Sequence, residues 1–171
     1  MKRIALISTG GTIEKTYDEL SGALHNRVSV LDFMLASLQL RGVSIDRISL
    51  MNKDSLEMTD ADHDLIAAAA AKQAVTHDGI VIVHGTDRLA KSGHCLVEKL
   101  GVPRVPIVLT GAMRPWEMRS TDAVQNLTEA LLAVQLVAPG VYVAMHNQVL
   151  KFPGVEKDST AAGGGTFIKR G

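Results

Sequence analysis

The sequence predicts a doubly wound α/β fold, with a mainly parallel sheet and helices on both of its faces. Short apolar runs alternate with longer helix-like stretches along the chain, which is the βαβαβ pattern of such folds. Several runs are apolar throughout, as expected for strands that helices cover on both sides. Hydrophobic residues make up 46% of the 171 residues, enough for the sizeable core of one domain.

The elements follow in chain order. The first apolar run enters a Gly-Gly turn, so it is predicted to be a strand and not a signal peptide. Thr59 or Asp60 is a suitable N-cap for the second helix, and the alanine run that follows favours helix. The predicted strands are 3–8, 45–50, 80–84, 106–110 and 141–145, and the predicted helices are 30–40, 60–76, 93–100 and 121–137.

Two segments do not fit this alternation. The polar segment 12–26 is long for a strand-to-helix connection, and such loops are often functional lids. The segment 151–171 contains Pro153, Gly154 and the glycines 163–165, which indicate an irregular tail. We therefore expect one catalytic domain over 1–171, ending in that tail.

Charge and cysteine content narrow the classes of function. Lys+Arg and Asp+Glu both number 18, so there is no basic excess to indicate a nucleic-acid or anionic-membrane partner. No apolar stretch approaches the ~18 residues of a membrane span. The single cysteine, Cys95, excludes an internal disulfide and fits the cytoplasm. The six histidines form no metal-ligand pairs, so we expect no metal.

Two glycine-containing turns each carry a threonine hydroxyl. Thr12 follows Gly11 after the first strand, and Thr86-Asp87 follows Gly85 after the third. Turns at the carboxyl ends of parallel strands share one rim of the sheet, where ligands bind. A threonine becomes a nucleophile only when a base takes its proton. The alternative is that these are ordinary turns capped by hydroxyl and carboxylate groups.

A third loop and one lysine could complete such a site. Ser55 and Glu57 follow the second strand, although taken alone an ordinary N-cap region for the next helix explains this segment better. Lys157, held near a threonine hydroxyl, could act as a base, whereas the ordinary interpretation is a solvated lysine.

Three segments resemble the bacterial-type L-asparaginase family. Thr9-Gly10-Gly11-Thr12-Ile13, His84-Gly85-Thr86-Asp87 and Leu109-Thr110-Gly111-Ala112-Met113-Arg114-Pro115 are similar to its signatures and stand in the same order. The resemblance covers residues 4 to about 167 and is strongest to the short cytosolic members. It implies hydrolysis of L-asparagine, a small-molecule substrate, to aspartate and ammonia, with no metal or organic cofactor and a cytoplasmic location.

The resemblance also implies roles for individual residues. Thr12 would be the nucleophile, and Thr86, Asp87 and Lys157 would form the family's Thr–Asp–Lys group. Ser55 would bind the substrate α-carboxylate and Asp87 the α-amino group. The backbone contacts in the pocket would come from Gly11, Gly85 and Ala112.

The chain departs from the family pattern in three ways. The tyrosine that family members carry after the nucleophile would here be Tyr17. Leu56 stands where many members have glutamine. Typical members have a second domain that supplies a carboxylate from a neighbouring subunit. We expect this chain to lack that domain and Glu57 to replace its carboxylate.

Two other functions stay open. The same groups could hydrolyse glutamine or a larger amide, as in the related amidotransferase subunits, because one methylene changes binding by only ~1–3 kcal/mol. A non-catalytic module that binds an amino acid is the other alternative. The near-zero net charge allows self-association, so we expect a homodimer or a higher homo-oligomer.

Overall fold

A six-stranded sheet with the strand order β4-β1-β5-β6-β7-β8 forms the centre of the molecule. The computed structural model describes residues 1–26, 29–160 and 165–171. Five strands are parallel, and β8 runs antiparallel to β7 at one edge. The strands of this sheet are β1 (Lys2–Gly10), β4 (Val43–Lys53), β5 (Gly79–Val83), β6 (Pro106–Thr110), β7 (Gly140–Met145) and β8 (Gln148–Lys151).

The order of the strands creates a crevice next to β1. From β1 the chain crosses to β4 on one side and then returns to β5 on the other side. Ligands of open α/β sheets bind at such a switch point, outside the carboxyl ends of the strands. Ser8 pairs with Val83, the last residue of β5, and β1 ends two residues later, so the turns after the two strands emerge close together.

Helices cover both faces of the sheet, as the apolar strands predicted. Successive side chains of a strand point to opposite faces, which gives the sheet two apolar layers. Ile4, Leu6 and Val81 pack against α1 and α4, whereas Ile7 and Ile82 pack on the opposite face against α2 and α3. The helices are α1 (Leu31–Ala36), α2 (Asp60–Gln73), α3 (Leu89–Leu100) and α4 (Ala123–Leu136).

Several boundaries differ from those predicted. The first helix is shorter than 30–40, and α3 begins at Leu89 and not at 93. The edge strand β8 was missed because it is mostly exposed and lacks a continuous apolar run. It follows β7 through His146 and Asn147, which both adopt positive φ, as two-residue hairpin turns require.

The two segments that did not fit the predicted alternation, 12–26 and 151–171, both contain β-strands. The segment 12–26 contains an antiparallel hairpin of β2 (Thr16–Asp18) and β3 (Ala23–His25). The expected irregular tail contains β9 (Val155–Asp158) and β10 (Thr166–Lys169), which pair antiparallel. Both hairpins are short and carry few apolar residues, so their pattern in the sequence is weak. Gly163 and Gly164, which contributed to that expectation, lie outside the described residues.

Across residues 1–26, 29–160 and 165–171, no helix is long and apolar enough to cross a membrane.

Candidate active site

Close backbone contact joins the two threonine-bearing turns. Gly11 adopts φ 83° and ψ −177°, and a Cβ atom there would lie 2.5 Å from Gly85 Cα. Only glycine allows both this conformation and this approach. Thr12 and Thr86 each follow one of these glycines, so the backbones of the two threonine-bearing turns lie side by side.

Lys157 reaches Thr86 and Asp87 from the distant strand β9. Its Nζ donates hydrogen bonds to Thr86 Oγ1 at 3.0 Å and to Asp87 Oδ1 at 2.6 Å. The lysine side chain is 17% exposed and the aspartate side chain 47%. The ammonium is therefore mostly shielded from water, while the carboxylate keeps an open side toward the solvent.

Strand β9 holds Lys157 in this position. Val155 and Phe152 belong to the apolar layer against α3, and Phe167 of β10 pairs with Lys157 and is also buried. A Cβ on Gly165, which has φ 93°, would lie 3.1 Å from Lys157 Cε. The stem of the lysine therefore passes close to Gly165, and its charged end points at the threonine turn.

The third loop is closed against the second turn. Ser55 lies in a 3-10 turn (Ser55–Glu57), is 1% exposed, and its Oγ accepts a hydrogen bond from Arg88 N–H at 3.4 Å. A Cβ on Gly85 would lie 2.6 Å from Ser55 Oγ. Ser55 thus borders the predicted site but is not open to solvent. Glu57 is exposed at the end of the same turn.

The loop after Thr12 folds back over the site. Asn26 Nδ2 donates to Gly11 O at 2.8 Å, and Lys15 forms a 2.7 Å ion pair with Asp54. The hydrogen bond from Lys15 lowers the pKa of Asp54 below its ordinary value. A cavity of about 350 Å³ lies beneath the hairpin, lined by Lys15, Leu24, His25, Asn26, Asn52, Asp54 and Glu57.

Tyr17 does not join the threonine groups. It lies on β2, where it pairs with Leu24, and it is 59% exposed. Its backbone N–H donates to Glu117, and its hydroxyl has no hydrogen-bond partner in the described part of the chain. The residue expected to bond the nucleophile therefore points outward, because neighbouring side chains of the strand alternate in direction.

Ala112 lies in a turn that a buried carboxylate organises. Asp122 accepts hydrogen bonds from Met113 N–H and Arg114 N–H, and His146 Nε2 lies 2.7 Å from it. Burial would raise the pKa of Asp122, but these hydrogen bonds outweigh it and lower the pKa. Ala112 itself is fully buried, so its side chain is not open to a ligand.

A second buried carboxyl lies beneath the Thr12 turn. Glu14 is 1% exposed, and Ser29 Oγ donates to its Oε1 at 2.6 Å. Burial raises the pKa of Glu14, and the Ser29 hydrogen bond and the Arg47 charge offset this only in part. The network anchors the short 3-10 turn Thr12–Glu14 to the sheet.

Sequence reasoning missed two contacts of this site. Thr86 Oγ1 donates to Met113 Sδ at 3.7 Å, which connects the second and third signatures. The ion pair between Lys15 and Asp54 links residues 39 positions apart, and no local pattern marks it. Among the described residues, no group of three His, Cys, Asp or Glu side chains could hold a metal ion.

Known proteins share this fold. The family model described as Asparaginase, N-terminal, matches residues 3–164. The chain therefore belongs to the asparaginase family, whose members are amidohydrolases.

The relatives of this chain include both L-asparaginases and amidotransferase subunits. An L-asparaginase of Thermococcus kodakarensis is 32% identical over 151 residues, which are 86% of this chain and 45% of that one. A glutamyl-tRNA(Gln) amidotransferase subunit of Haloquadratum walsbyi is 38% identical over 145 residues, or 84% of this chain and 33% of that protein. This chain thus spans less than half the length of either relative.

Solved structures match almost the whole chain. The thermostable L-asparaginase from Thermococcus kodakarensis superimposes with a TM-score of 0.86 at 31% identity, covering 97% of this chain and 51% of that one. A probable cytoplasmic L-asparaginase from Campylobacter jejuni gives a TM-score of 0.78 at 32% identity, with the same coverage of both chains. The matched half of each chain has the fold described above.

The glycine contact predicts a large effect of one methyl group. We expect Gly11→Ala to lower the free energy of unfolding by about 3 kcal/mol or more, because alanine is strained at this φ and its Cβ overlaps Gly85. Urea unfolding followed by circular dichroism measures the change.

Gly22→Ala is the matched control. Gly22 has φ 65°, but a Cβ there would meet nothing within 4 Å. The Gly22→Ala substitution should lower the free energy of unfolding by only about 1–2 kcal/mol, the ordinary penalty of the left-handed conformation. Equal losses in the two variants would show that the contact of Gly11 with Gly85 is not tight.

Proposed function

We propose that this domain is an L-asparagine amidohydrolase, which converts L-asparagine to L-aspartate and ammonia through an acyl-enzyme on Thr12. The observation that carries the proposal is the backbone contact between Gly11 and Gly85. It brings the backbones of the two turns together, which supports a position of the Thr12 hydroxyl near Thr86, Asp87 and Lys157.

The chemistry takes two steps. Thr12 Oγ1 attacks the side-chain amide carbon of asparagine, the C–N bond breaks, and the hydroxyl proton leaves with the nitrogen as ammonia. Water then attacks the resulting ester, the bond to Thr12 Oγ1 breaks, and a proton from that water returns to the threonine. Backbone N–H groups next to Thr12 and Thr86 stabilise the oxyanion of each step.

The Thr86–Asp87–Lys157 group supports both steps. The ammonium of Lys157 lies 3.0 Å from Thr86 Oγ1, so it lowers the energy of negative charge that develops beside that hydroxyl. Asp87 balances the lysine charge through Oδ1, and its exposed side faces the α-ammonium of the substrate. A preorganised charge pair of this kind stabilises the charge of the transition state better than water would.

Five other residues were expected to contact the substrate, and all five are proposed to do so. Gly11, Gly85 and Ala112 offer backbone groups, and Ser55 binds the α-carboxylate after the 3-10 turn opens. Glu57 is proposed to supply a carboxylate to the α-amino end; it lines the cavity of about 350 Å³ together with Asn52 and Asp54.

Tyr17 is the weakest of the expected catalytic residues. It would contribute only if the hairpin turned inward, and its exposed position does not support that role.

A second candidate function is hydrolysis of glutamine or a larger amide. The similarity to glutamyl-tRNA(Gln) amidotransferase subunits favours it, since one of them is 38% identical to this chain. The non-catalytic alternative, an amino-acid-binding module, does not require a lysine pointed at a threonine hydroxyl.

Ammonia release decides between these functions. We expect the kcat/KM for asparagine to exceed that for glutamine by at least about tenfold, because one misplaced methylene typically changes binding by ~1–3 kcal/mol. A coupled assay of ammonia with each amide measures the ratio.

Two results would contradict asparagine hydrolysis as the function and favour one of the alternatives. A ratio at or below one would favour the glutamine alternative. If calorimetry shows that asparagine binds but is not consumed, the binding module is favoured.

We further propose a cytoplasmic location and self-association. Sedimentation of the purified protein tests the self-association.

A further inference from the structure

Three buried side chains form a hydrogen-bonded chain that ends at the second threonine turn. His84 Nδ1 lies 2.8 Å from Gly85 O, Ser92 Oγ lies 2.7 Å from His84 Nε2, and His63 Nδ1 lies 2.7 Å from the same Ser92 Oγ. All three side chains are at most 2% exposed. They belong to α2, α3 and the residue after β5, so the chain connects two helices to the site.

The direction of these hydrogen bonds follows from the groups involved. A carbonyl oxygen only accepts, so His84 Nδ1 carries the proton that bonds Gly85 O. Burial lowers the pKa of His84 to about 4, so the imidazole is neutral at pH 7 and its Nε2 accepts from the Ser92 hydroxyl. Ser92 Oγ then accepts from His63 Nδ1.

The other end of the chain has an unpaired acceptor. In this arrangement His63 Nε2 carries a lone pair, and it is buried with no hydrogen-bond partner among the described residues. An unpaired buried polar atom destabilises a fold. If these hydrogen bonds served only stability, we would expect the groups at both ends of the series to be paired. Only the end at the second threonine turn, where His84 bonds Gly85 O, is paired.

Fixing Gly85 O fixes the direction of a second group. The peptide between Gly85 and Thr86 is trans, like every peptide bond of the described chain except Phe152–Pro153. In a trans peptide the C=O and N–H lie in one plane and point in opposite directions. The imidazole that holds Gly85 O therefore also aims the N–H of Thr86.

We propose that His84 is a positioning residue, which Ser92 and His63 hold in one tautomer so that the Thr86 N–H and the adjacent Thr86 hydroxyl face the substrate. This inference rests on the proposed function of the site. His84 touches neither the substrate nor the reacting atoms in this scheme and acts only through the Gly85–Thr86 peptide.

Two amide replacements separate positioning from stability. His84→Asn keeps an N–H donor near the place of Nδ1, whereas His84→Gln moves its amide to the place of Nε2 and loses the donor to Gly85 O. We expect His84→Gln to lower kcat by about tenfold or more with KM changed less than about threefold, because a misplaced donor loses transition-state stabilisation. His84→Asn should keep kcat within about threefold.

His77→Asn is the matched control. His77 is also buried and hydrogen bonded, but it contacts Asp46 and Gln73 O, after the end of α2 and away from the threonine turns. It should lower the melting temperature without lowering kcat. Equal kcat for His84→Gln and wild type, or equal kcat losses in all three variants, would overturn the positioning role.

NMR gives a readout that needs no turnover. In wild type without ligand, the His84 ¹⁵N shifts should show a protonated Nδ1 and an unprotonated Nε2, and Ser92→Ala should mix the tautomers. The Thr86 amide shift should change in His84→Gln more than in His84→Asn. An unprotonated Nδ1 in wild type, or an unchanged Thr86 amide, would reject the inference even if asparagine is hydrolysed. If instead these shifts are as expected and no amide is hydrolysed, the proposed function fails and the hydrogen-bond chain stands.

Discussion

Thr12→Ala should lower the kcat for asparagine by at least about 10⁴-fold, because removal of a nucleophile abolishes the acyl-enzyme route. The Thr12 hydroxyl makes no hydrogen bond within the described residues, and the side chain is partly exposed. The substitution should therefore leave the free energy of unfolding within about 0.5 kcal/mol of wild type. Ammonia release and urea unfolding measure the two quantities.

Thr12→Ser serves as its matched control. Serine keeps the hydroxyl and loses one methyl group, so most of the activity should remain. Mass spectrometry of acid-quenched wild-type enzyme should show a covalent aspartyl adduct on the peptide that contains residue 12. If Thr12→Ala hydrolyses asparagine at the wild-type rate, Thr12 is not the nucleophile.

Lys157→Met should lower kcat by about 10³-fold, since it removes the positive charge that lies 3.0 Å from Thr86 Oγ1 and 2.6 Å from Asp87 Oδ1. Methionine retains much of the packed stem, so β9 should keep its place. Asp87 would lose its counter-charge and bind the substrate ammonium more freely, so KM should rise little. Steady-state kinetics with asparagine measure both constants.

Lys169→Met provides the comparison on the neighbouring strand. Lys169 is exposed on β10 and pairs with Val155, away from the threonine turns. It should leave kcat within about twofold of wild type. A loss confined to KM in Lys157→Met would assign the lysine to substrate binding and remove it from the chemical steps.

The sequence predicted the central sheet and its layers because these depend on local patterns. The runs that became β5 and β6 are apolar at nearly every position, and both are buried throughout. The order of elements then placed the turns after β1 and β5 at one crevice, since connections between parallel strands follow few rules. The family resemblance was likewise confirmed over residues 3–164.

The remaining features depend on contacts between distant residues. Lys157 is 71 positions from Thr86, and its strand carries no periodic pattern that sets it against the site. The exposure of Tyr17 follows from its register in a three-residue hairpin strand, which a loop prediction cannot specify. The burial of Ser55 depends on how close the backbone of Gly85 comes. The role of His84 depends on a serine eight positions later in the next helix.

The glycines at the centre of the crevice also limit how its specificity can be redesigned. Gly11, Gly85 and Gly111 each face a neighbouring group so closely that a side chain cannot be added without displacing it. Saturation mutagenesis at these positions should yield mostly unfolded variants. The exposed and partly exposed residues of the hairpin between Lys15 and Asn26 are the better targets for a library that seeks activity on new amides.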